Sequence, residues 1–548
     1  MPRSRVLRVL LVVSAVAYSG FLVTGPSARA GTNPILVSTT TDEFGSGKGC
    51  ALREAVQAAN TNQAFGGCPA GTSSSVDLIT VPTGTYELTL TGPGENANAT
   101  GDIDITEAVD ITGAGRNSTI VDGHAEGPGS CQPNRSVENQ GNGAPDRVFH
   151  IHLPEPPPEV SAQGIGFFVN FSDMEITSGE ASDGTGGGVY AESGLATLEF
   201  EGVDVTNNTA FGEFGSGGGI ASFAEGTHLE NTSVTGNVVS SAQIANGGGL
   251  LAVSNVVRIE GGDLVENEIC ADSANGGGLY AEGWVAMLAT DVLSNRAFGN
   301  FTSGAGISLS DSSGDGLSGG DDPPRDSISS VLIADNIARG PLARGGGIST
   351  EGFGLTLDHV WVDNNRAESS GSTGKGPSPV ALGGGLFAWN TGPIEIVAST
   401  FERNSAVRDQ VQAQAQGGDG LEVGGGGIYS ETDTELLNST ISDNRSELGA
   451  GLYHSENDPK GSASARLTHV TVANNDAAHG GGIFVDRQFK PASRLRLDST
   501  IVHNPQGGGN CEGQTDAIRS LGNNMASSGT CNLTKPTDHP NTNPQLEP

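Results

Sequence analysis

Apolar and polar positions in this chain repeat on a long period. Ten times between residues 188 and 483 a glycine cluster runs directly into an aliphatic residue, at Val189, Ile220, Leu250, Leu279, Ile307, Ile348, Leu386, Ile428, Leu452 and Ile483. Ten times an asparagine stands three places after another apolar residue: Asn208, Asn237, Asn267, Asn295, Asn336, Asn365, Asn404, Asn444, Asn475 and Asn504. The glycine signal recurs every 24 to 42 residues, mostly every 28 to 31. Self-similarity at that period marks a solenoid, whose units bury their apolar faces only by stacking on one another. Leu355-Thr356-Leu357, Leu495-Arg496-Leu497 and Val470-Thr471-Val472 alternate as half-buried strands do, and no repeat holds an amphipathic stretch long enough for a helix.

The pattern therefore predicts an all-β parallel β-helix with three short strands and three turns per coil. Coils stack at about 4.8 Å, so ten of them make a rod of about 45 to 50 Å. Asparagine tolerates a left-handed bend, and its amide can bond from coil to coil, so the ten asparagines are expected to form a structural stack. The glycines permit tight corners and close backbone approach. A phosphate-cradling role does not suit them, because such a loop occurs once, before a helix.

Composition changes this picture little. Hydrophobic residues make up 35%, aromatic residues 5% and charged residues 16% of the 548 residues. A narrow coil needs only a thin apolar file, so the low hydrophobic content suits one long repeat domain. The formal net charge of -36 excludes a nucleic-acid binder and disfavours anionic membrane surfaces.

The N-terminus sets the expected compartment. Arg3, Arg5 and Arg8 precede an apolar run from Val9 to Val23, and Ala28-Arg29-Ala30 offers small residues for cleavage. Residues 1–30 therefore read as a signal peptide, leaving a mature chain without an integral membrane segment, secreted or held at the cell surface. Six cysteines fit an oxidising compartment, with Cys50 pairing Cys68 and Cys511 pairing Cys531 as the simplest local disulfides; spacing leaves the state of Cys131 and Cys270 open. The expected organisation is a cap with the first coils over 31–125, early coils with a Pro/Gly-rich loop over 126–185, repeats over 186–505 and a disulfide-closed tail over 506–548.

Cys50-Ala51-Leu52-Arg53-Glu54-Ala55 resembles the CSLREA motif of bacterial exported repeat proteins, with Ala51 in place of the motif serine. Thr112-Gly113-Ala114-Gly115, Ile120-Val121-Asp122-Gly123 and Arg147-Val148-Phe149 continue that likeness. Ser499-Thr500-Ile501-Val502, Gly509-Asn510-Cys511 and Leu521-Gly522-Asn523-Asn524 resemble the start of a choice-of-anchor Q region, and the glycine repeats are more loosely similar to polymorphic outer-membrane protein repeats. The resemblance implies a right-handed, pectin-lyase-like β-helix. Leu52, Ala55, Val56 and Ala59 share one helical face, so a short N-terminal helix is expected to cap the open end of the stack. Arg53 and Glu54 read as solvated charges on that helix.

Candidate chemistry follows the repeats. Tyr190, Tyr280, Phe387, Tyr429, Tyr453 and Phe484 directly follow the inward aliphatic residue, and alternation turns them outward. Glu192, Glu282, Glu351 and Glu431 run beside them. Such a stripe would stack on sugar rings or a partner protein if exposed, or would merely brace adjacent strands. Asp122-Gly123-His124 reads as a turn. Asp311, Ser313, Asp315 and Asp322 have the spacing of a calcium loop, although an acidic insertion would look the same; no other cofactor is expected. A stretch rich in Pro, Gly, Asn and Glu at 132–162, and insertions at 368–380 and 408–422, read as protruding loops where recognition could sit. A repeated stripe suits extended binding better than catalysis, so the expected function is non-catalytic binding, adhesion-like, to an extracellular polysaccharide or surface protein. A polysaccharide lyase or glycoside hydrolase on the same fold is the alternative, and a purely structural surface component is a third.

Overall fold

The computed structural model describes residues 34–125, 146–152, 167–192, 195, 197–310, 325–370, 379–409, 423–455, 463–486, 494–513 and 517–546. They wind into a parallel β-helix with sheets of 26, 15 and 13 strands, each strand pairing in parallel with its counterpart one coil on. The 15-stranded sheet runs in strict chain order from Gly84–Glu87 to His539–Pro540. Fifteen layers at about 4.8 Å give a rod of about 65–70 Å, longer than the ten glycine signals imply because coils lie beyond them at both ends.

One coil shows how the sequence makes the turn. Val189–Ala191 and Thr197–Glu201 lie in the large sheet, Asp204–Thr206 in the second, and Thr209–Ser216 in the third. Val189, Ala191, Leu198, Phe200, Val203 and Val205 point inward and join a single core that runs the length of the rod. The third sheet is the departure from a three-strand coil. Between the asparagine and the glycines the chain makes an excursion, in later coils a pair of short arms such as Arg296–Phe298 and Phe301–Ser303. The arms enclose a second, thin core of Ala210, Ala245, Ala274, Ala297 and Ala305, continued by Ala343, Ala367, Ala381 and Ala406. Alanine lets two backbones approach where branched residues would not fit, which is why these segments carry no strand signal in the sequence.

The ten asparagines form a buried ladder. From Asn237 on, each Oδ1 accepts from both the backbone N–H and the side-chain amide of the asparagine one coil earlier, as in Asn208 to Asn237 at 3.0 and 3.0 Å and Asn336 to Asn365 at 3.1 and 2.9 Å, while Asn208 accepts the Gly179 N–H at 2.9 Å. Asn510 closes the series by accepting from the Asn504 N–H at 2.7 Å. The left-handed backbone expected at these asparagines falls one residue earlier instead, at Asn207, Glu266, Ser294 and Asp335. None of the ten ladder asparagines takes a positive φ, and their amides turn inward. The glycines serve the ladder: a Cβ on Gly249 would sit 2.7 Å from Asn267 Cγ, and Gly247 two places earlier takes φ +68° at the corner.

The first coil is closed by helix α1, Leu52–Thr61, which buries Leu52, Ala55, Val56 and Ala59. Arg53 and Glu54 are not solvated as expected; both are buried. Arg53 pairs with Asp42 through Nε at 2.7 Å and donates to the carbonyls of Asp102 and Gly101 at 2.6 and 2.8 Å. Glu54 accepts the Ala51 N–H at 3.3 Å, a cap for the first turn of the helix. The disulfides Cys50–Cys68 and Cys511–Cys531 are present, and Cys270 is also disulfide-bonded. Cys131 and residues 1–30, expected to be a signal peptide, lie outside the described residues.

His454 is an exception in the main core. It points inward between Ser430 and Val485 of adjacent coils, fully buried. Burial lowers its pKa from 6.5 to about 4. Because the unfolded chain takes up the proton first, stability is full above about pH 6.5 and falls as pH drops toward about 4, by up to about 3 kcal/mol. Urea melts across that range should show the decline, and His454→Val should flatten it.

Candidate functional site

Three neighbouring strands of the large sheet, Ile103–Ile105, Phe149–Ile151 and Val189–Ala191, place Asp104, His150 and Tyr190 opposite one another on the outer face. Period-two alternation sends the flanking Ile103, Ile105, Phe149 and Ile151 into the core, and it puts His152 and Glu192 on the same outer face as His150 and Tyr190. The result is one compact polar group. Asp104 Oδ1 lies 3.1 Å from His152 Nε2 and 3.3 Å from His150 Nδ1, while His150 Nε2 lies 3.3 Å from Glu192 Oε1. The His150 ring stacks on Tyr190 at 5.1 Å, with the planes 5° apart.

The cap helix holds this group in place. Asn98 Nδ2 donates to the Arg53 carbonyl at 2.9 Å, and the Asn98 N–H donates to Asp104 Oδ2 at 2.8 Å. Asn60 donates to the Asp104 carbonyl at 2.7 Å. Burial alone would raise the Asp104 pKa, but the adjoining His150 and His152 imidazoles and the Asn98 N–H hold it below the usual carboxylate value. His150 is buried, His152 is partly exposed, and the Glu192 side chain is 44% exposed, so Glu192 is the member of the group that faces solvent.

A second charged layer lies alongside. Arg147 pairs with Asp102 at 3.3 Å and with Asp183, and its guanidinium sits over the Tyr190 ring at 5.2 Å. Burial and the neighbouring Asp146 push Asp102 well above the usual carboxylate range, against the pull of Arg147. Burial and then Glu192 raise the Tyr190 phenol.

Farther along, the outer file continues in register through Ala221, Leu251, Tyr280, Ser308, Ser349, Phe387, Tyr429, Tyr453 and Phe484. The aromatic residues are not an exposed stripe. Phe387, Tyr429 and Tyr453 are buried beneath Leu382 and Leu448, and with Phe484 they form a stack with ring centres 4.9 to 5.3 Å apart. Leu382 belongs to a return arm of the excursion, which leans over the outer face of the large sheet and covers the rings. Tyr280 donates to Glu282 at 2.8 Å, and burial followed by that bond raises its pKa. Between these two regions a polar recess is lined by Asn275, Tyr280, Ser303, Ser308, Ser349 and Glu351. At its far side Arg344 lies over Phe387 and the exposed Trp389.

Sequence reasoning named Tyr190 and Glu192 but missed Asp104, His150 and His152. Their signal was present as Asp102-x-Asp104 and His150-x-His152, two alternating polar pairs inside strands. Asp122-Gly123-His124 is a turn, closed by the His124 N–H donating to Asp122 at 2.8 Å. The calcium-loop residues Asp311, Ser313, Asp315 and Asp322 lie outside the described residues. No helix among the described residues is long and apolar enough to cross a membrane.

No protein-family model matches the chain, and no curated protein is significantly similar to it. Among solved structures it resembles the A-module of the mannuronan C-5 epimerase AlgE6 from Azotobacter vinelandii at 12% identity and TM-score 0.38, over 86% of this chain and 94% of that one. It also resembles the catalytic domain of a GH87 alpha-1,3-glucanase in complex with nigerose at 12% identity and TM-score 0.34, over 91% of this chain and 70% of that one. Likeness at this level says nothing about activity or substrate.

Proposed function

We propose that this protein is an enzyme acting on an extended, uncharged polysaccharide by acid–base chemistry, with its reaction centre at Asp104, His150, Tyr190 and Glu192. The observation that carries the reading is the Asp104, His150 and His152 group, which among the described residues is the one convergence of its kind and which faces Glu192 of the repeated acidic file. A stripe of identical residues suits extended binding, whereas a reaction needs one differentiated set of groups. His150 Nε2 faces Glu192, and Glu192 is exposed enough to exchange a proton with a bound sugar. The recess around Tyr280 and Glu351 begins three coils away, about 14 Å along the rod. Its hydroxyl and amide groups suit sugar hydroxyls, and its Glu351 carboxylate together with the chain's net charge of -36 repels a polyanion, which supports a neutral polymer over a uronate.

Export belongs to the same proposal. The Arg-rich apolar start, the small residues at Ala28 and Ala30, and the CSLREA-like and anchor-Q-like termini support a secreted or surface-held protein that meets its polymer outside the cell. Incubation of the mature chain with neutral glucans, mannans and xylans and with uronate polymers, followed by chain length and reducing ends, tests the reading. Shortening or modification of a neutral polymer is the expected result. Affinity for a polymer without any change to it would instead favour the adhesion-like binding module, and loss of both would favour a structural component.

A further inference from the structure

We infer that Asp104, His150 and His152 form a binding site for one divalent transition-metal ion of the zinc class. Among the described residues they are the one group of three or more His, Cys, Asp or Glu side chains whose ligand atoms converge, all within 4.8 Å of one another. A tetrahedral ion with bonds of about 2.0–2.1 Å needs ligand atoms about 3.3 Å apart. The separations of Asp104 Oδ1 from His152 Nε2 and from His150 Nδ1, 3.1 and 3.3 Å, meet that requirement. Only the two imidazoles would need to close on each other as the ion enters.

Two further observations point to a ligand and not to a closed hydrogen-bond network. His150 Nδ1 is buried and makes no well-formed hydrogen bond, although it lies beside the Asp104 carboxylate. A neutral imidazole has one N–H, yet His150 presents a nitrogen to a carboxylate on each side, Asp104 and Glu192. With the proton on Nε2 and donated to Glu192, Nδ1 is left with its lone pair directed into the cluster.

The supporting contacts have the form of a metal site's outer layer. Glu192 lies 3.3 Å from the non-ligating nitrogen of His150, placed to accept from a proton-bearing Nε2, and the Asn98 N–H bonds the Asp104 oxygen that faces away from the histidines. Three protein ligands leave a fourth position for water or substrate, and the His152 side chain, 18% exposed, is the ligand nearest solvent. One carboxylate ligand and a second carboxylate behind His150 supply two negative charges, which match a divalent cation. Nitrogen with oxygen donors favours zinc, cobalt or nickel over calcium or magnesium, which take oxygen alone.

Metal binding can be measured without any knowledge of the polysaccharide, so its failure and that of the proposed activity are separable. The mature chain, stripped by chelator and dialysed, is titrated with Co²⁺ while visible d–d absorption is recorded, then with Zn²⁺ in competition. One equivalent of tetrahedral or five-coordinate Co²⁺, displaced by Zn²⁺, is expected. His152→Gln and His150→Gln should each weaken binding by more than about 100-fold, and Glu192→Gln by about 10- to 100-fold, with far-ultraviolet circular dichroism unchanged. Because His152 is partly exposed, its variant keeps the test valid should His150→Gln fail to fold. Absence of a Co²⁺ band and of retained Zn²⁺ in the folded parent would overturn the assignment. So would stoichiometric binding that survives both histidine substitutions.

Discussion

Replacing Arg53 with methionine is expected to destabilise the N-terminal coils by about 3–5 kcal/mol, the usual consequence of stranding one member of a buried ion pair. The guanidinium makes a two-pronged contact with Asp42, at 2.7 and 3.2 Å, and satisfies the carbonyls of Gly101 and Asp102. Without it Asp42 keeps only the backbone donors Thr89 and Leu90 as partners among the described residues. Hydrogen exchange resolved by coil is the right readout, since a stacked rod can open locally while its middle stays folded. Amides of Ile103–Ile105 and Phe149–Ile151 should lose protection while those beyond Leu386 keep theirs. Arg53→Met together with Asp42→Asn should recover part of the loss, because no bare buried charge remains. Unchanged protection in the single variant would show that the cap does not depend on this pair.

Removing one rung of the asparagine ladder should cost nearly as much. In Asn336→Ala the backbone and side-chain N–H groups of Asn295 lose their acceptor, at 2.9 and 3.0 Å in the parent, and the Val292 carbonyl loses its donor. Each buried polar group left unpaired costs about 1–3 kcal/mol, so a total of about 2–5 kcal/mol is expected after partial relaxation. Asn295 Nδ2 keeps its bond to the Leu264 carbonyl, which limits the damage. Equilibrium unfolding in guanidinium, with exchange read in the coils around Asn295 and Asn365, measures the effect. A change under about 1 kcal/mol would mean that the ladder follows the coil geometry without stabilising it.

The parts of this structure that were legible in the sequence are those that repeat. Asparagine and glycine recur in fixed relation to branched residues because every coil poses the same packing problem, and repetition makes even a weak local signal readable. The excursion was not legible. Its arms are packed by Ala297, Ala338 and their neighbours, and alanine carries no strand preference; what makes them strands is pairing with the coils above and below. The burial of the aromatic file follows from the same omission, since without the return arms nothing would cover Tyr429 or Tyr453.

The polar cluster escaped notice for the opposite reason. Among the described residues it occurs once, and its members come from strands 46 and 40 residues apart, as the registers Asp104 with His150 and His150 with Tyr190 show. No spacing rule predicts which unlike coils will be neighbours when long loops intervene. A search for two polar side chains at alternate positions in successive strands would have found Asp102-Ile103-Asp104 and His150-Ile151-His152.

The most direct test sets two carboxylates against each other on the polysaccharide that the parent protein modifies. Glu192 stands in the unrepeated cluster, while Glu431 holds the same position relative to its glycines in a later coil, beside the covered aromatic stack. Initial rates should fall by at least about 100-fold in Glu192→Gln and stay within about twofold of the parent in Glu431→Gln. Equal losses in the two variants, or a fall confined to Glu431→Gln, would contradict a single reaction centre at the first coils.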